Sequence, residues 1–172
     1  MIYKILKIII IIFFTLNITK IYAKEQDNTI HGKYLDWTVF TSKNQQKEDA
    51  LICYMIAIPI KNIKNIQQRG EAHLTITKTI GKLPEISIAN GYYYKQNTEV
   101  EISFGIKKFN LMTYKTKAWT YDASDDIEII KSLKLHDNFT VTATSKINKI
   151  TQDEYSLIGF NKAYKKLLEI CP

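Results

Sequence analysis

Arginine is almost missing from this chain: of its 24 lysine and arginine residues, only Arg69 is arginine. Bidentate recognition of phosphates and base edges leans on the planar guanidinium fork. The formal net charge of +7 is therefore a weak pointer to partners, and nucleic acid is not expected among them. The skew toward lysine, in a sequence heavy in isoleucine and asparagine, resembles an AT-rich coding bias. Histidine is scarce too: His31, His73 and His136 stand apart, with no HExxH, His-x-His or CxxC around them. No metal site is expected from that pattern. No glycine-rich loop cradles a phosphate, so no cofactor is expected. No Gly, Pro or Ser-rich linker, repeat or low-complexity tract divides the chain.

What is present is the balance of one globular domain, 45% hydrophobic and 24% charged. The first residues, MIYKILKIIIIIFFTLNITKIYA, run from Lys4 and Lys7 through the apolar stretch Ile8 to Leu16 into a polar end. That order reads as a secretory signal peptide over residues 1–23, cleaved after Ala23. The alternative is an uncleaved anchor, but crossing the hydrocarbon takes about 20 apolar residues and this run is broken earlier. Removal of Lys4, Lys7 and Lys20 takes the formal charge from +7 to +4, and leaves residues 24–172 as a single domain. No cysteine follows the apolar run, so a lipoprotein anchor is not expected.

Export changes how the two cysteines are read. Cys53 and Cys171 are the only pair, and an oxidising compartment favours a disulfide between them over two buried thiols, the alternative left standing. Closing so long a loop is worth roughly 4 to 5 kcal/mol by chain entropy.

Most of the remaining sequence alternates. YLDWTVFT places Leu35, Trp37 and Val39 on one parity, so Trp37 is expected in the core. LICYMIAIPI is apolar on both parities and suits a covered strand ended by Pro59. KNIKNIQQRG reads as a connection, a turn of helix or an irregular loop. HLTITKTI, EISIANGYYY, EVEISFGI, KFNLMTYKTKAW and NFTVTATS read as further strands, with KQNT as the turn of a hairpin between EISIANGYYY and EVEISFGI. YDASDDIEIIKSLKL changes period: Asp125 with Glu128 three residues on forms a capping box, and Ile127, Ile130 and Leu133 face one way. The closing segment spaces Phe160, Ala163, Tyr164, Leu167, Leu168 and Cys171 at threes and fours along one helical stripe. The expected architecture is a mainly β, antiparallel two-sheet sandwich of about seven or eight strands, with a short helix and a C-terminal amphipathic helix. An outer-membrane barrel closes with its last strand; a terminal helix with an inward cysteine does not fit one.

With these elements in place the sequence resembles the invasion-associated locus B family of exported bacterial envelope proteins. The resemblance rests on DWTVF with Trp37, the cysteine in LICY followed by Pro59, GYYY, Ala118 and Trp119, and above all DEYSLIGFNKAYKKLLEIC. There Asp153, Tyr155, Ser156, Leu157, Gly159 and Phe160 match an Asp-x-Tyr-Ser-Leu-x-Gly-Phe signature. The likeness spans roughly Leu35 to Cys171. In the loop before the signature this chain has Lys146, Ile147 and Asn148 where family members often carry glycine and arginine. The resemblance implies export, a β-rich fold and a link to host-cell invasion, and supplies no catalytic residues.

Asp153, Tyr155 and Ser156 invite a catalytic reading. A structural one is simpler: Asp153 accepts backbone N–H bonds before a tight turn, Ser156 caps the helix, and Gly159 allows close backbone approach before Phe160 enters the core. Tyr92, Tyr93 and Tyr94 are the more interesting feature. Alternation sends Tyr92 and Tyr94 to one face and Tyr93 to the other, so a tyrosine beside Lys95 is exposed and suits an interaction surface; packing is the alternative. Lysines 61, 64, 107 and 108 offer peripheral contact with anionic lipid, or simply solvation. The functional expectation is a non-enzymatic protein of the periplasm or cell envelope, outer-membrane associated or surface exposed. It would bind a protein or envelope partner, or the host-cell surface, and contribute to invasion. The alternative is a periplasmic structural or chaperone-like factor acting on invasion indirectly.

Overall fold

The computed structural model describes residues 28–43 and 51–172. The signal peptide read over residues 1–23, and most of the loop SKNQQKED, lie outside the described residues. Eleven strands form one continuous antiparallel ladder: β1 (Asn28–Tyr34), β2 (Trp37–Lys43), β3 (Leu51–Ala57), β4 (Lys61–Lys64), β5 (His73–Thr79), β6 (Glu85–Ala89), β7 (Val100–Phe104), β8 (Lys107–Tyr114), β9 (Lys117–Trp119), β10 (Asn138–Thr144) and β11 (Ile150–Ser156). Their spatial order is β1-β2-β3-β5-β6-β9-β8-β7-β10-β11-β4. β8 belongs to both halves, pairing β9 on one side and β7 on the other. The ladder folds over so that its two halves face each other: the Trp37 indole on β2 donates to the Ser156 carbonyl on β11 at 3.1 Å. This is the expected sandwich, with alternate residues filling the space between.

Trp37, Met55, Leu74, Ile76, Ile102, Phe139 and Tyr155 are all fully buried in a single core. Helix α1 (Ala123–Leu135) follows β9, and helix α2 (Phe160–Ile170) closes the chain against β1, β2 and β3. Phe160, Ala163, Tyr164, Leu167 and Cys171 face inward as the spacing requires, while Leu168 stays partly exposed. Phe160 meets Trp37 edge-on, ring centres 5.0 Å apart. Cys53 and Cys171 form the disulfide, Cα atoms 6.1 Å apart, and both are fully buried. Beyond it, the Lys78 ammonium and the Gly81 N–H bond the backbone oxygen of Pro172 at 3.0 and 3.1 Å. The last turn is thus tied down twice.

Several expectations are corrected. The strands flanking KQNT do not form a hairpin: β6 pairs with β5 and β9, and β7 with β8 and β10. The polar segment after the signal peptide, KEQDNTIHGK, is not all loop, since Asn28–Tyr34 forms β1, and part of KNIKNIQQRG is β4. Both are edge strands, exposed along most of their length, so neither has a core face to impose an apolar alternation. Leu35 is in the β1–β2 turn at φ 58° and is exposed. The cap of α1 is Asp122, not Asp125: its carboxylate accepts the Ser124 and Asp125 N–H groups at 2.8 and 3.1 Å. These bonds, the Ser124 hydroxyl foremost, hold it below the usual carboxylate range. The inward face of α1 is Asp126, Ile129, Ile130 and Leu133, with Ile127 exposed.

Candidate functional site

The segment Asn90–Lys95 leaves β6 and reaches across to the opposite half. Gly91 has φ 76°, and a Cβ there would lie 2.1 Å from the Gly70 carbonyl oxygen. Only glycine allows the two backbones to approach so closely; the Gly70 N–H donates to the Gly91 carbonyl at 2.8 Å. This clasp holds Arg69 against the tyrosines. The triplet alternates as its sequence predicts: Tyr92 is half-buried, Tyr93 exposed and Tyr94 buried. Its inward members enter a polar knot.

At the centre of the knot is Asp153, mid-strand on β11 and fully buried. Both of its oxygens accept from Arg69 Nη2, at 2.9 and 3.0 Å, and Oδ2 also accepts from Asn90 Nδ2 at 3.1 Å. The Arg69 side chain is itself only 7% exposed. The Tyr94 hydroxyl donates to Asn90 Oδ1 at 2.7 Å and accepts the Asn90 N–H at 3.1 Å. Tyr92 and Thr151 join their hydroxyls at 2.5 Å. Burial pushes the phenols of Tyr92, Tyr94 and Tyr155 above the usual range; for Tyr92 the bond to Thr151 opposes the shift. All three stay neutral at any physiological pH.

The Asp-x-Tyr-Ser-Leu-x-Gly-Phe segment starts in this knot at Asp153, and the residues it places have structural tasks. Asp153 does not precede a tight turn as its sequence setting suggests; it neutralises the buried arginine. Tyr155 stacks on Phe139, ring centres 4.9 Å apart. Ser156 does not cap α2. Its hydroxyl accepts the Ile158 N–H at 3.1 Å, and the cap is Gly159. Gly159 has φ 91°, and a Cβ there would meet the Tyr34 carbonyl oxygen at 1.9 Å. Trp119, half-buried on β9, lies apart from these residues across the ladder.

The outward member, Tyr93, lines an open groove of about 620 Å³ with Lys95, Gln96, Asn97, Lys146 and Asn148. Two loops build it and are zipped by backbone bonds: Lys146 N–H to Tyr93 carbonyl at 2.8 Å, and Lys95 N–H to Thr144 carbonyl at 3.0 Å. The Lys146 ammonium is 5.0 Å from the Tyr93 ring centre. None of the lining residues is acidic. Asn90, Thr151 and the role of Arg69 escaped the sequence; the lone arginine was the available signal for the last. Lys146 and Asn148 belong to the loop between β10 and β11, just before the Asp153 strand.

A second concavity of about 350 Å³ lies beside β1 and is apolar, with Leu35, Phe40, Ile56, Ile58 and Ile60 among its walls. Among the described residues, no group of three or more His, Cys, Asp or Glu is arranged to hold a metal ion, and no helix is long and apolar enough to cross a membrane.

No family profile and no curated protein matches the sequence. Among solved structures, the chain is similar to the crystal structure of invasion associated protein B from Bartonella henselae. The TM-score is 0.56 at 11% identity, covering 83% of this chain and 97% of that one. At that identity the likeness shows a shared fold.

Proposed function

We propose that the chain is an exported, non-enzymatic envelope protein that acts by binding a partner through the groove around Tyr93, and so contributes to host-cell invasion. The observation that carries this reading is the division of labour in the tyrosine triplet. Tyr92 and Tyr94 anchor the segment in the interior, so Tyr93 and Lys95 are displayed on a framework already fixed before any partner arrives, which lowers the ordering cost of binding. Supporting it are the disulfide, which suits an oxidising compartment, and the fold shared with invasion associated protein B, whose name links that protein to invasion.

A second reading, a periplasmic structural or chaperone-like factor, draws on the apolar concavity beside β1, an edge strand that pairs with β2 alone among the described residues. Protease treatment of intact cells separates the two, with a periplasmic marker reporting leakage. Cleavage with the marker intact supports direct contact with the host. Protection of both refutes surface display and favours the indirect role.

A further inference from the structure

We infer that the groove around Tyr93 is a site for an acidic saccharide; this rests on the binding role proposed above and names its ligand class. The inference comes from the chemistry of six side chains. Lys95 and Lys146 present ammonium groups, and no acidic residue lines the groove to neutralise them, so an anionic group is favoured. Gln96, Asn97 and Asn148 add side-chain amides, each carrying both donors and an acceptor. That pairing suits hydroxyl groups, which also donate and accept. Tyr93, 53% exposed and with the Lys146 ammonium over its ring, supplies an aromatic surface beside a fixed cation, against which the C–H face of an anionic sugar can lie.

Other anions fit less well. A lipid would need an apolar channel for its chain, and this groove is open with no aliphatic residue in its wall. A phosphate clamp would be expected to use arginine, whereas the only arginine is buried against Asp153. The site is also preformed. Asn97 and Asn148 take left-handed backbone conformations, φ 57° and 60°, and the Asn148 N–H is fixed to the Ser145 carbonyl at 2.9 Å. Asparagine tolerates that conformation, so the turns that carry these amides are set by local geometry.

The test is calorimetric titration of the purified protein, at physiological ionic strength, with a heparin-derived hexasaccharide. Maltohexaose serves as the neutral control and inorganic sulfate as the simple anion. The hexasaccharide is expected to bind, with maltohexaose and sulfate each weaker by at least about tenfold. Tyr93→Ala and Lys146→Gln should each weaken hexasaccharide binding by about fivefold or more, with near-ultraviolet circular dichroism confirming the fold. Lys165→Gln, on the outer face of α2, should leave it unchanged. Binding that is equal for Tyr93→Ala and the parent, or matched by sulfate, would reduce the groove to a charged patch and overturn the assignment. No hexasaccharide binding also overturns it, and if Tyr93→Ala still abolishes attachment to host cells, the ligand class falls while the binding role stands.

Discussion

The buried ion pair at the centre of the fold gives the sharpest test of how the two halves are joined. Asp153 is fully buried and Arg69 nearly so, with two Arg69 contacts and one from Asn90 as the carboxylate's partners. Arg69→Met leaves a buried carboxylate with one neutral donor, and should cost about 3–5 kcal/mol. Asp153→Asn leaves a guanidinium that still has Asn62 as an acceptor at 3.1 Å, so its cost should be smaller, about 2–3 kcal/mol. Replacing both, Arg69→Met with Asp153→Leu, removes both charges and leaves chiefly the Asn90 amide without its acceptor, a loss of about 1–3 kcal/mol. The double variant should therefore be more stable than Arg69→Met alone. Urea unfolding at neutral pH, followed by tryptophan fluorescence with the disulfide intact, measures all three. A double variant no more stable than Arg69→Met alone, or single losses under about 1 kcal/mol, would refute the view that these charges are buried and mutually dependent.

The disulfide closes a loop with a sequence separation of 118. Cys53→Ala and Cys171→Ala should each cost about 5 kcal/mol by chain entropy, and the double variant little more in the same urea assay; clearly additive losses would show they are not partners. Gly159→Ala meets both a left-handed backbone and the Tyr34 carbonyl, and should cost about 2–5 kcal/mol. Gly81→Ala, with φ 72° and nothing within 4 Å of the new Cβ, should cost only about 1–2 kcal/mol. Equal losses at the two glycines would remove the steric explanation. Asp126 is buried, and that burial raises its carboxyl pKa against the opposing Ile86 N–H bond. A raised folded-state pKa adds stability below the unfolded value of about 3.9 and loses it as pH rises through the folded value. In Asp126→Asn, which keeps an acceptor for Ile86, the unfolding midpoint should fall less over that rise than in the parent, and an unchanged pH profile would refute the assignment.

Much of this fold was legible because its buried strands and closing helix carry their periods openly. Trp37, the alternation of Tyr92 to Tyr94 and the inward stripe from Phe160 to Cys171, Leu168 excepted, all follow from spacing alone. The errors have two sources. Strands at the ladder's edges, β1 and β4, bury almost nothing, so no apolar alternation marks them. The KQNT turn fails for a different reason: a polar turn between two alternating runs looks the same whether the runs pair with each other or part. Here Tyr94 forms an isolated bridge to Ser145 instead, and the chain crosses to the other half. Asp153 was misread because its partner lies 84 residues away, and nothing local to DEYSL reveals that distance.

These two levels of legibility bear on function. The Asp-x-Tyr-Ser-Leu-x-Gly-Phe segment is occupied with holding the fold: Asp153 to Arg69, the Ser156 carbonyl to Trp37, Gly159 against Tyr34, Phe160 against Trp37. A residue buried in the interior has little left to offer a partner. The groove residues are placed oppositely. Gln96, Asn97 and Lys146 are exposed, and the loops that carry them are held by the backbone N–H groups of Lys95, Lys146 and Asn148 rather than by these side chains. Proteins that share this fold can therefore keep the knot and differ in the loops at 95–97 and 146–148, so that likeness of fold would not carry likeness of ligand. An exchange of those two loops with those of a protein of the same fold should transfer ligand preference while leaving the unfolding free energy within about 1 kcal/mol of the parent. A preference that stayed with the scaffold would place recognition elsewhere, with the apolar concavity beside β1 the next surface to test.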